Sequence, residues 1–401
     1  MTIFNRKKIP AWCFLLLSTS SFAEGIVDIK PYISTSLSYD DNVFRFSSPD
    51  QAKAALGSSK MSDVLTRLEL GAELNLRLSR QLISLTASAN ENKYNHFTNL
   101  DNTGSANSLR WDWRLGSNLY GVLAVSKNKA IAGFNETRNA IKNIRTSEQQ
   151  SASINWDFHP DWTLYLNGDR IDLKNGANSS VQLDRQDDII ETGFRYHSPL
   201  GTQLGLSYRL ADASFPNRSG LIKTFFGAES SQEEVALSVA WLPAPKTRLS
   251  TRLSHVNLVR KNSQLPDFNG FNQRWNLDYS ATSKVNFNLS AYQYLSPIDD
   301  VVSTYVETTG VEINPTWAIT SKVALRANLA YSENDYIGSA ATSSNNTERL
   351  DTSTQVGVSL LYTPTLKSLL QLQYTGEKRL SNSTNQGYQF NNINVFFRYG
   401  F

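Results

Sequence analysis

The chain has 401 residues, of which 40% are hydrophobic and 19% charged, with 39 basic and 36 acidic side chains. Residues 1–23 hold three of the basic residues and none of the acidic ones, so the rest carries 36 of each sign and no net charge that would attract nucleic acid. The single cysteine, Cys13, also lies in that segment, which leaves the rest of the chain without disulfides or thiol chemistry.

The N-terminal segment has the three parts of a secretory signal peptide. Basic residues at 6–8 precede an apolar stretch at 9–17, and residues 21–23 read Ser-Phe-Ala, the small-x-small form of a cleavage site. The apolar stretch is too short to span a membrane as a helix. We therefore predict cleavage after Ala23, which leaves residues 24–401 as one exported domain.

Alternation of apolar and polar residues runs through the rest of the chain. In residues 67–78 every second residue is Leu or Ala, and the residues between them are Arg, Glu, Asn or Gly. A strand places these two sets on opposite faces, whereas a helix would scatter both around its circumference. The same alternation recurs at 109–115, 152–158, 235–241, 275–279, 285–289, 323–329 and 356–362. A β-barrel hides its lipid-facing residues in such alternate positions.

Short and long connections between these strands also alternate. The short turns are predicted near 79–81, 116–118, 159–161, 197–201, 243–246, 282–284, 316–322 and 363–366. The long polar segments are predicted near 41–62, 95–106, 127–146, 172–186, 211–231, 259–270, 295–302, 332–350 and 379–388. Eight short turns pair sixteen strands, and one further strand at each end brings the count to eighteen. This predicts an all-β, antiparallel transmembrane barrel with short periplasmic turns and long extracellular loops.

Two features of this assignment carry specific expectations. Strand fourteen, at 303–314, is the weakest, because either register turns Glu307 or Glu312 outward, so a bulge or a displaced boundary is expected there. Proline lacks a backbone donor and is expected in turns rather than inside strands. Prolines follow an aromatic residue by two to three positions near four of the short turns, at Pro160, Pro199, Pro243 and Pro364.

The last strand ends in an aromatic residue. Residues 393–401 alternate between apolar and other side chains and finish with Tyr399 and Phe401. This resembles the signal that the outer-membrane assembly machinery recognises. The alternative is a soluble periplasmic β-protein that ends in phenylalanine by chance.

Signals for enzymatic chemistry are weak. The four histidines, His96, His159, His197 and His255, do not have the spacing of metal ligands, and no GxSxG nucleophile motif occurs. Acidic pairs at 40–41, 187–188 and 299–300 have a superficial likeness to the carboxylates of outer-membrane proteases, but such pairs are usually solvated loop starts. We predict a protein that is not an enzyme and uses no metal or cofactor.

The polar faces of the strands are the predicted lining of the lumen. The basic candidates are Arg67, Arg77, Arg110, Arg114, Arg195, Arg209, Arg248, Arg252, Arg274, Arg326 and Arg398. The acidic candidates are Glu69, Glu73, Asp112, Asp157, Asp169, Glu191 and Asp278, and the aromatic ones are Tyr165, Tyr292 and Phe396. This mildly basic, hydroxyl-rich lining suits neutral or mildly acidic sugars, although any wide barrel needs a polar interior.

One segment resembles a known family. Residues 36–45, Ser-Leu-Ser-Tyr-Asp-Asp-Asn-Val-Phe-Arg, follow a Pro-Tyr-Ile-Ser-Thr opening and resemble the start of the EpsL-type barrels, the β-barrel porins of exopolysaccharide gene clusters. The resemblance implies an outer-membrane conduit that exports a polysaccharide together with a periplasmic polysaccharide-export protein. It supplies no catalytic residues. From the residues alone, we predict that 39–42 form a strand end and a polar turn that folds the first loop inward; the alternative is a contact at the rim or one associated with calcium.

Two other functions fit the same sequence. The first is a general or oligosaccharide-uptake porin, and the second is a structural or adhesive surface barrel with a filled lumen. The long loops near 127–146, 211–231 and 332–350 are the candidate plugs.

Overall fold

The computed structural model describes residues 26–135, 140–263, 267–296, 305–337 and 349–401. The predicted signal peptide and its cleavage after Ala23 lie outside these residues, as does the acidic pair at 299–300.

Within the described ranges, the regular structure consists of eighteen strands, two short α-helices and two 3-10 helices (Thr98–Leu100 and Asn178–Leu183). The strands are β1 (Val27–Asp40), β2 (Asp63–Leu78), β3 (Gln81–Tyr94), β4 (Asn102–Leu115), β5 (Leu119–Ile131), β6 (Ile144–His159), β7 (Trp162–Asn175), β8 (Arg185–His197), β9 (Gln203–Ser214), β10 (Glu229–Ala244), β11 (Thr247–Lys261), β12 (Phe268–Ser280), β13 (Val285–Ser296), β14 (Tyr305–Ala318), β15 (Val323–Ile337), β16 (Arg349–Thr365), β17 (Ser368–Ser381) and β18 (Tyr388–Gly400). The α-helices are α1 (Pro49–Leu56) and α2 (Gly220–Phe226). Among the described residues, no helix has the length and apolarity needed to cross a membrane.

The strands form one closed antiparallel sheet. Each strand pairs with its neighbours in the chain, and β1 also pairs with β18, from Tyr32 opposite Gly400 to Asp40 opposite Asn392. Closure leaves no edge with unpaired backbone groups, which is what a strand structure in lipid requires. The predicted eighteen-stranded barrel is confirmed.

One face of the sheet is apolar although it is exposed. Leu70 in β2, Leu206 in β9 and Leu372 in β17 are at least 50% exposed and lie on this face. Exposed aromatic residues gather on it towards the short turns, at Trp156, Trp241, Tyr279, Trp317, Tyr362 and Tyr399. An apolar outer band bordered by aromatic residues is the surface that a barrel presents to lipid.

Several predicted long loops are shorter than expected. Strand β5 continues to Ile131 and β6 begins at Ile144, inside the segment predicted as a loop at 127–146. Strand β9 likewise continues to Ser214 and β10 begins at Glu229, inside the segment predicted at 211–231. The strands continue beyond the apolar band, where both of their faces are polar, so alternation no longer marks them. The predicted turn at 316–322 is also shorter than expected, because β14 continues to Ala318.

Strand β14 contains no bulge, so of the two alternatives predicted for this part of the chain only the displaced boundary is observed. Its register with β13 and β15 is continuous, and the strand begins near the predicted position but ends four residues later. Glu312 lies on the inner face, where it accepts hydrogen bonds from Asn314 and Asn328 at 2.9 and 2.7 Å. Glu307 does face outward, but it lies opposite Asp335 at the long-loop end of the strand, beyond the apolar band.

The prolines divide between turns and strand ends. Pro160 and Pro199 lie in turns as predicted. Pro243 and Pro364 lie inside β10 and β16, which contradicts the prediction. The pairing register of both strands shifts around the proline. At such an irregularity one residue is left unpaired, so the proline does not have to donate a backbone hydrogen bond to the neighbouring strand.

Candidate functional site in the barrel lumen

Contacts between strands that are not neighbours identify the inner face. Nη2 of Arg252 in β11 lies 3.3 Å from Oε2 of Glu191 in β8, with two strands between them. Nη2 of Arg398 in β18 lies 2.6 Å from Oε1 of Glu73 in β2, with β1 between them. Side chains of separated strands can meet in this way on the concave face of a closed sheet. These residues therefore line the lumen.

A cavity of about 320 Å³ opens in the inner wall between β7 and β12. We call it the arginine recess, and its charged and aromatic walls are Tyr165, Glu191, Arg195, Arg252 and Arg274. Ser238, Ser250, Asn167 and Asn276 add hydroxyl and amide groups. Gly205 also lines it, and a side chain there would project toward Ser238, whose Cβ lies 3.7 Å from the position a Cβ would take.

The arginine recess has more positive than negative charge. Arg252 lies between Glu191 and Glu234, with nitrogen-to-oxygen distances of 3.3 and 3.1 Å, and Glu234 also pairs with Arg209 at 3.3 Å. These two arginines and two carboxylates balance each other. Arg195 and Arg274, however, form no ion pair with a carboxylate of the described residues and remain as a positive surplus.

The two surplus arginines are positioned by aromatic rings. The guanidinium of Arg195 lies 5.0 Å from the ring centre of Tyr165, and that of Arg274 lies 5.7 Å from the ring centre of Tyr292. The Tyr165 hydroxyl donates a 3.0 Å hydrogen bond to Glu191, which fixes its ring. Such cation–π contacts orient a guanidinium and leave its N–H groups able to donate to a solute.

An apolar cluster fills one side of the long-loop mouth. We call it the aromatic plug, and it consists of Val43, Phe44, Phe46, Ala52, Phe97, Leu100 and Phe134. These residues come from loop 1 (residues 41–62), loop 2 (95–101) and residues 132–135 after β5, which we call loop 3. The Phe44 ring is fully buried, and its centre lies 4.9 Å from that of Phe97 and 4.7 Å from that of Phe134.

Loop 1 is held against the inner wall, as the polar turn at 39–42 predicted. Asn42 donates to the carbonyl of Gln389 in β18 at 2.9 Å and to that of Phe46 at 2.8 Å. The Arg45 guanidinium pairs with Asp40 at 2.8 Å and lies 3.5 Å from the ring centre of Phe390. The helix α1 within the loop begins at the capping residue Ser48 and ends at Gly57, whose positive φ of 73° suits glycine.

Loop 3 reaches across the mouth to the same wall. The backbone oxygen of Asn135 accepts a hydrogen bond from Arg379 in β17 at 3.3 Å, and its side-chain oxygen accepts one from Arg45 at 3.2 Å. The aromatic plug therefore covers the sector from β17 through β1 to β5, whereas the arginine recess lies on the far wall.

The structure distributes the remaining predicted lining residues around the wall. Ion pairs join Arg67 to Glu69 and Arg110 to Asp112, and Arg114 stacks on Tyr120. Three of the carboxylates accept hydrogen bonds from neighbouring side chains: Asp157 from Thr163, Asp169 from Ser151 and Asp278 from Asn288. For four further residues, the pairing register of their strands is what assigns the side chain to the inner face: Arg77, Arg248, Arg326 and Phe396. That any of these residues acts on a solute stays a prediction.

Sequence reasoning missed some charged residues of the inner wall. Glu234, which neutralises Arg252, lies one position before the predicted strand at 235–241, although it extends the inward set of Ala236 and Ser238. Asp351 was missed for the same reason, since it lies at the start of β16, before the alternating run begins.

The acidic pairs are used structurally. Asp41 accepts hydrogen bonds from the backbone and side-chain nitrogens of Asn391 at 2.7 and 2.8 Å. Asp187 pairs with Arg185 at 2.7 Å and Asp188 with Arg170 at 3.8 Å. Across the described ranges, no group of three or more His, Cys, Asp or Glu side chains is arranged to hold a metal ion.

No protein-family model matches the chain, and no curated protein matches it. The resemblance to EpsL-type barrels therefore gains no support from these comparisons. Solved structures do share the fold. OccAB3 of Acinetobacter baumannii aligns with a TM-score of 0.52 and 9% identity over 93% of this chain and all of that one. A BenF-like porin of Pseudomonas fluorescens Pf-5 aligns with a TM-score of 0.52 and 11% identity over 93% of this chain and 99% of its own.

A third structure, Pseudomonas aeruginosa OccK2 (OpdF) in complex with glucuronate, aligns with a TM-score of 0.51 and 10% identity over 93% of this chain and 98% of that one. Identities this low show the fold alone. The chain thus has the fold of outer-membrane porins, and its apolar outer band agrees with a place in the outer membrane.

Proposed function

We propose that this protein is a non-enzymatic porin that lets small polar solutes cross the outer membrane, with a preference for solutes that carry a carboxylate. The observation that carries the proposal is the arginine recess, a polar cavity in the lumen wall with two arginines in excess of its carboxylates. A porin needs no further machinery to act on such solutes, because diffusion drives the passage.

The chemistry of the recess suits a sugar acid. A guanidinium donates two parallel hydrogen bonds to a carboxylate, and Arg195 and Arg274 have no carboxylate of the described residues to occupy them. Hydroxyl and amide groups beside them match the hydroxyls of a sugar. A volume of about 320 Å³ lies at the lower end of small-molecule sites, which favours a monosaccharide. The OccK2 complex with glucuronate makes a uronate the natural first probe.

Export of an exopolysaccharide is the weaker proposal. It rests on the resemblance of residues 36–45, and the aromatic plug narrows the mouth that a polymer would have to cross. A periplasmic polysaccharide-export protein and a polymer remain partners of that proposal alone. Recognition of Tyr399 and Phe401 by the assembly machinery stays a prediction under either function.

Planar-bilayer recording tests the uptake proposal. We expect the wild-type protein to conduct with a modest anion preference under a salt gradient, and we expect glucuronate to block the current. Replacing Arg195 and Arg274 by glutamine should remove the preference and raise the blocking concentration by about tenfold or more, because each charge-assisted hydrogen bond is worth roughly 1.5–3 kcal/mol. Arg77→Gln combined with Arg326→Gln is the matched control, since it removes two inner-wall arginines away from the recess.

Three results would contradict the proposal. A protein that does not conduct would be a filled surface barrel. Unchanged selectivity and block in the double variant would remove the recess from the function. Loss of extracellular polymer in a deletion strain that still takes up small sugars would favour export.

A further inference from the structure

The outer face of β4 to β7 carries a row of lysines and hydroxyls beyond the apolar band. Ser105, Lys129, Thr146 and Lys174 lie directly opposite one another on successive strands. They face outward, because Lys129 is four residues from the lipid-facing Val125 on the same strand. We call these four residues the outer lysine row.

Lys129 and Lys174 differ from the other outward cations nearby. Lys93 pairs with Glu91 and Asp101, each at 3.2 Å. Lys127 pairs with Glu148 at 2.6 Å, and Arg170 pairs with Asp172 at 3.5 Å. Lys129 and Lys174 form no ion pair or hydrogen bond with the residues that the structure describes, and Lys174 acts on Glu148 only through longer-range attraction.

The charge around the barrel is uneven at this height. Lysine and arginine outnumber carboxylates on the outer face of β3 to β7. From β8 to β15, the outward residues near the long loops are mainly acidic, at Asp188, Asp212, Glu229, Glu233, Glu307 and Glu333. An anionic group near the membrane surface is therefore attracted to one side of the barrel and repelled from the other.

The distance of the outer lysine row above the apolar band indicates which kind of anionic group it can contact. At about 3.3 Å per residue on a strand tilted by about 40°, Lys129 stands roughly 10 Å above Val125, and Lys174 stands higher still. A phospholipid phosphate lies at the edge of the apolar band and is too low. A phosphorylated sugar headgroup projects above that edge. The two lysines are about 10 Å apart across Thr146, so both flexible side chains reach one phosphate between them.

We propose that the outer lysine row binds a phosphate on the sugar headgroup of a glycolipid in the outer leaflet. Lys129 and Lys174 supply the charge, and Thr146, which lies between them, supplies a hydroxyl donor. The site lies on the outer face, so it is independent of the lumen and of the proposed transport function.

Retention of purified lipopolysaccharide by the detergent-solubilised full-length barrel, measured by mass spectrometry, tests this site. Each lysine near an anionic membrane surface contributes about a fivefold factor in affinity, so K129Q/K174Q should weaken binding about 30-fold. The control K261Q/K378Q removes two outward lysines elsewhere and should bind normally. All variants should still fold, because the side chains are exposed, and should still conduct.

The outcomes separate the sources of the phosphate. Loss of binding in K129Q/K174Q with normal binding in the control and in K129R/K174R supports the proposal. Equal binding by K129Q/K174Q and wild type overturns it. Inorganic phosphate or phosphatidylglycerol bound as tightly as lipopolysaccharide also overturns it, because the row would then recognise a phosphate without its sugar headgroup.

Discussion

Replacing Phe44 by alanine should release the aromatic plug without unfolding the barrel. The ring is fully buried against Phe97 and Phe134, at centre distances of 4.9 and 4.7 Å. Truncation of a packed phenylalanine costs about 3–5 kcal/mol. This cluster joins three loops and not the strands. The substitution should therefore destabilise the closed arrangement of the loops and not the barrel. At 1.36 kcal/mol per factor of ten, the open fraction of loop 1 should rise by roughly 10²- to 10⁴-fold.

Hydrogen exchange of the folded barrel measures this opening. The informative amides are those of Val43, which donates to the carbonyl of Met61 at 3.0 Å, and of Phe46, which donates to the side chain of Asn42 at 2.9 Å. Both should lose protection in Phe44→Ala while the strand amides keep theirs. Phe271→Ala is the matched control, since this phenylalanine is 72% exposed on the outer face. Unchanged protection of loop 1 would refute the view that the cluster holds it in place.

Two further substitutions test the wall itself. Asp351 is fully buried and pairs with Arg349 and, at 4.0 Å, with Arg379, so Asp351→Asn should lower the stability to chemical denaturation by about 3–5 kcal/mol, and an unchanged midpoint would contradict this. A Cβ at Gly121 would lie 1.9 Å from a backbone oxygen of β6, so Gly121→Ala should reduce the yield of folded, heat-modifiable barrel. Gly133→Ala is its control, because it meets open space, and equal yields would argue against the clash.

The sheet was predictable wherever one face of a strand meets lipid. In β2 every outward residue from Leu68 to Leu78 is apolar, and this regularity fixes both the strand and its register. Beyond the band this constraint ends. Lys127 and Glu148 pair outward on β5 and β6, so the ladder continues through residues that read as loop.

The sequence predicted an inward first loop and a candidate plug at 127–146, but the contacts within the aromatic plug and the arginine recess were beyond prediction for another reason. Phe44 meets Phe97 and Phe134, which come from two other loops, and no local pattern indicates that pairing. Likewise Arg252 and Glu191 were each predicted to face inward, but their contact depends on the curvature of the closed sheet over two intervening strands. Alternation predicts the face of a residue and not its partner.

The pairing of β1 with β18 also sets an order of events during biogenesis. Loop 1 is attached across that junction, where the Asp41 amide bonds to Asn391 and the Asn42 side chain bonds to the carbonyl of Gln389. These acceptors lie in the last strand to leave the ribosome. The hydrogen bonds that attach loop 1 to β18 can therefore form only after the first and last strands have met.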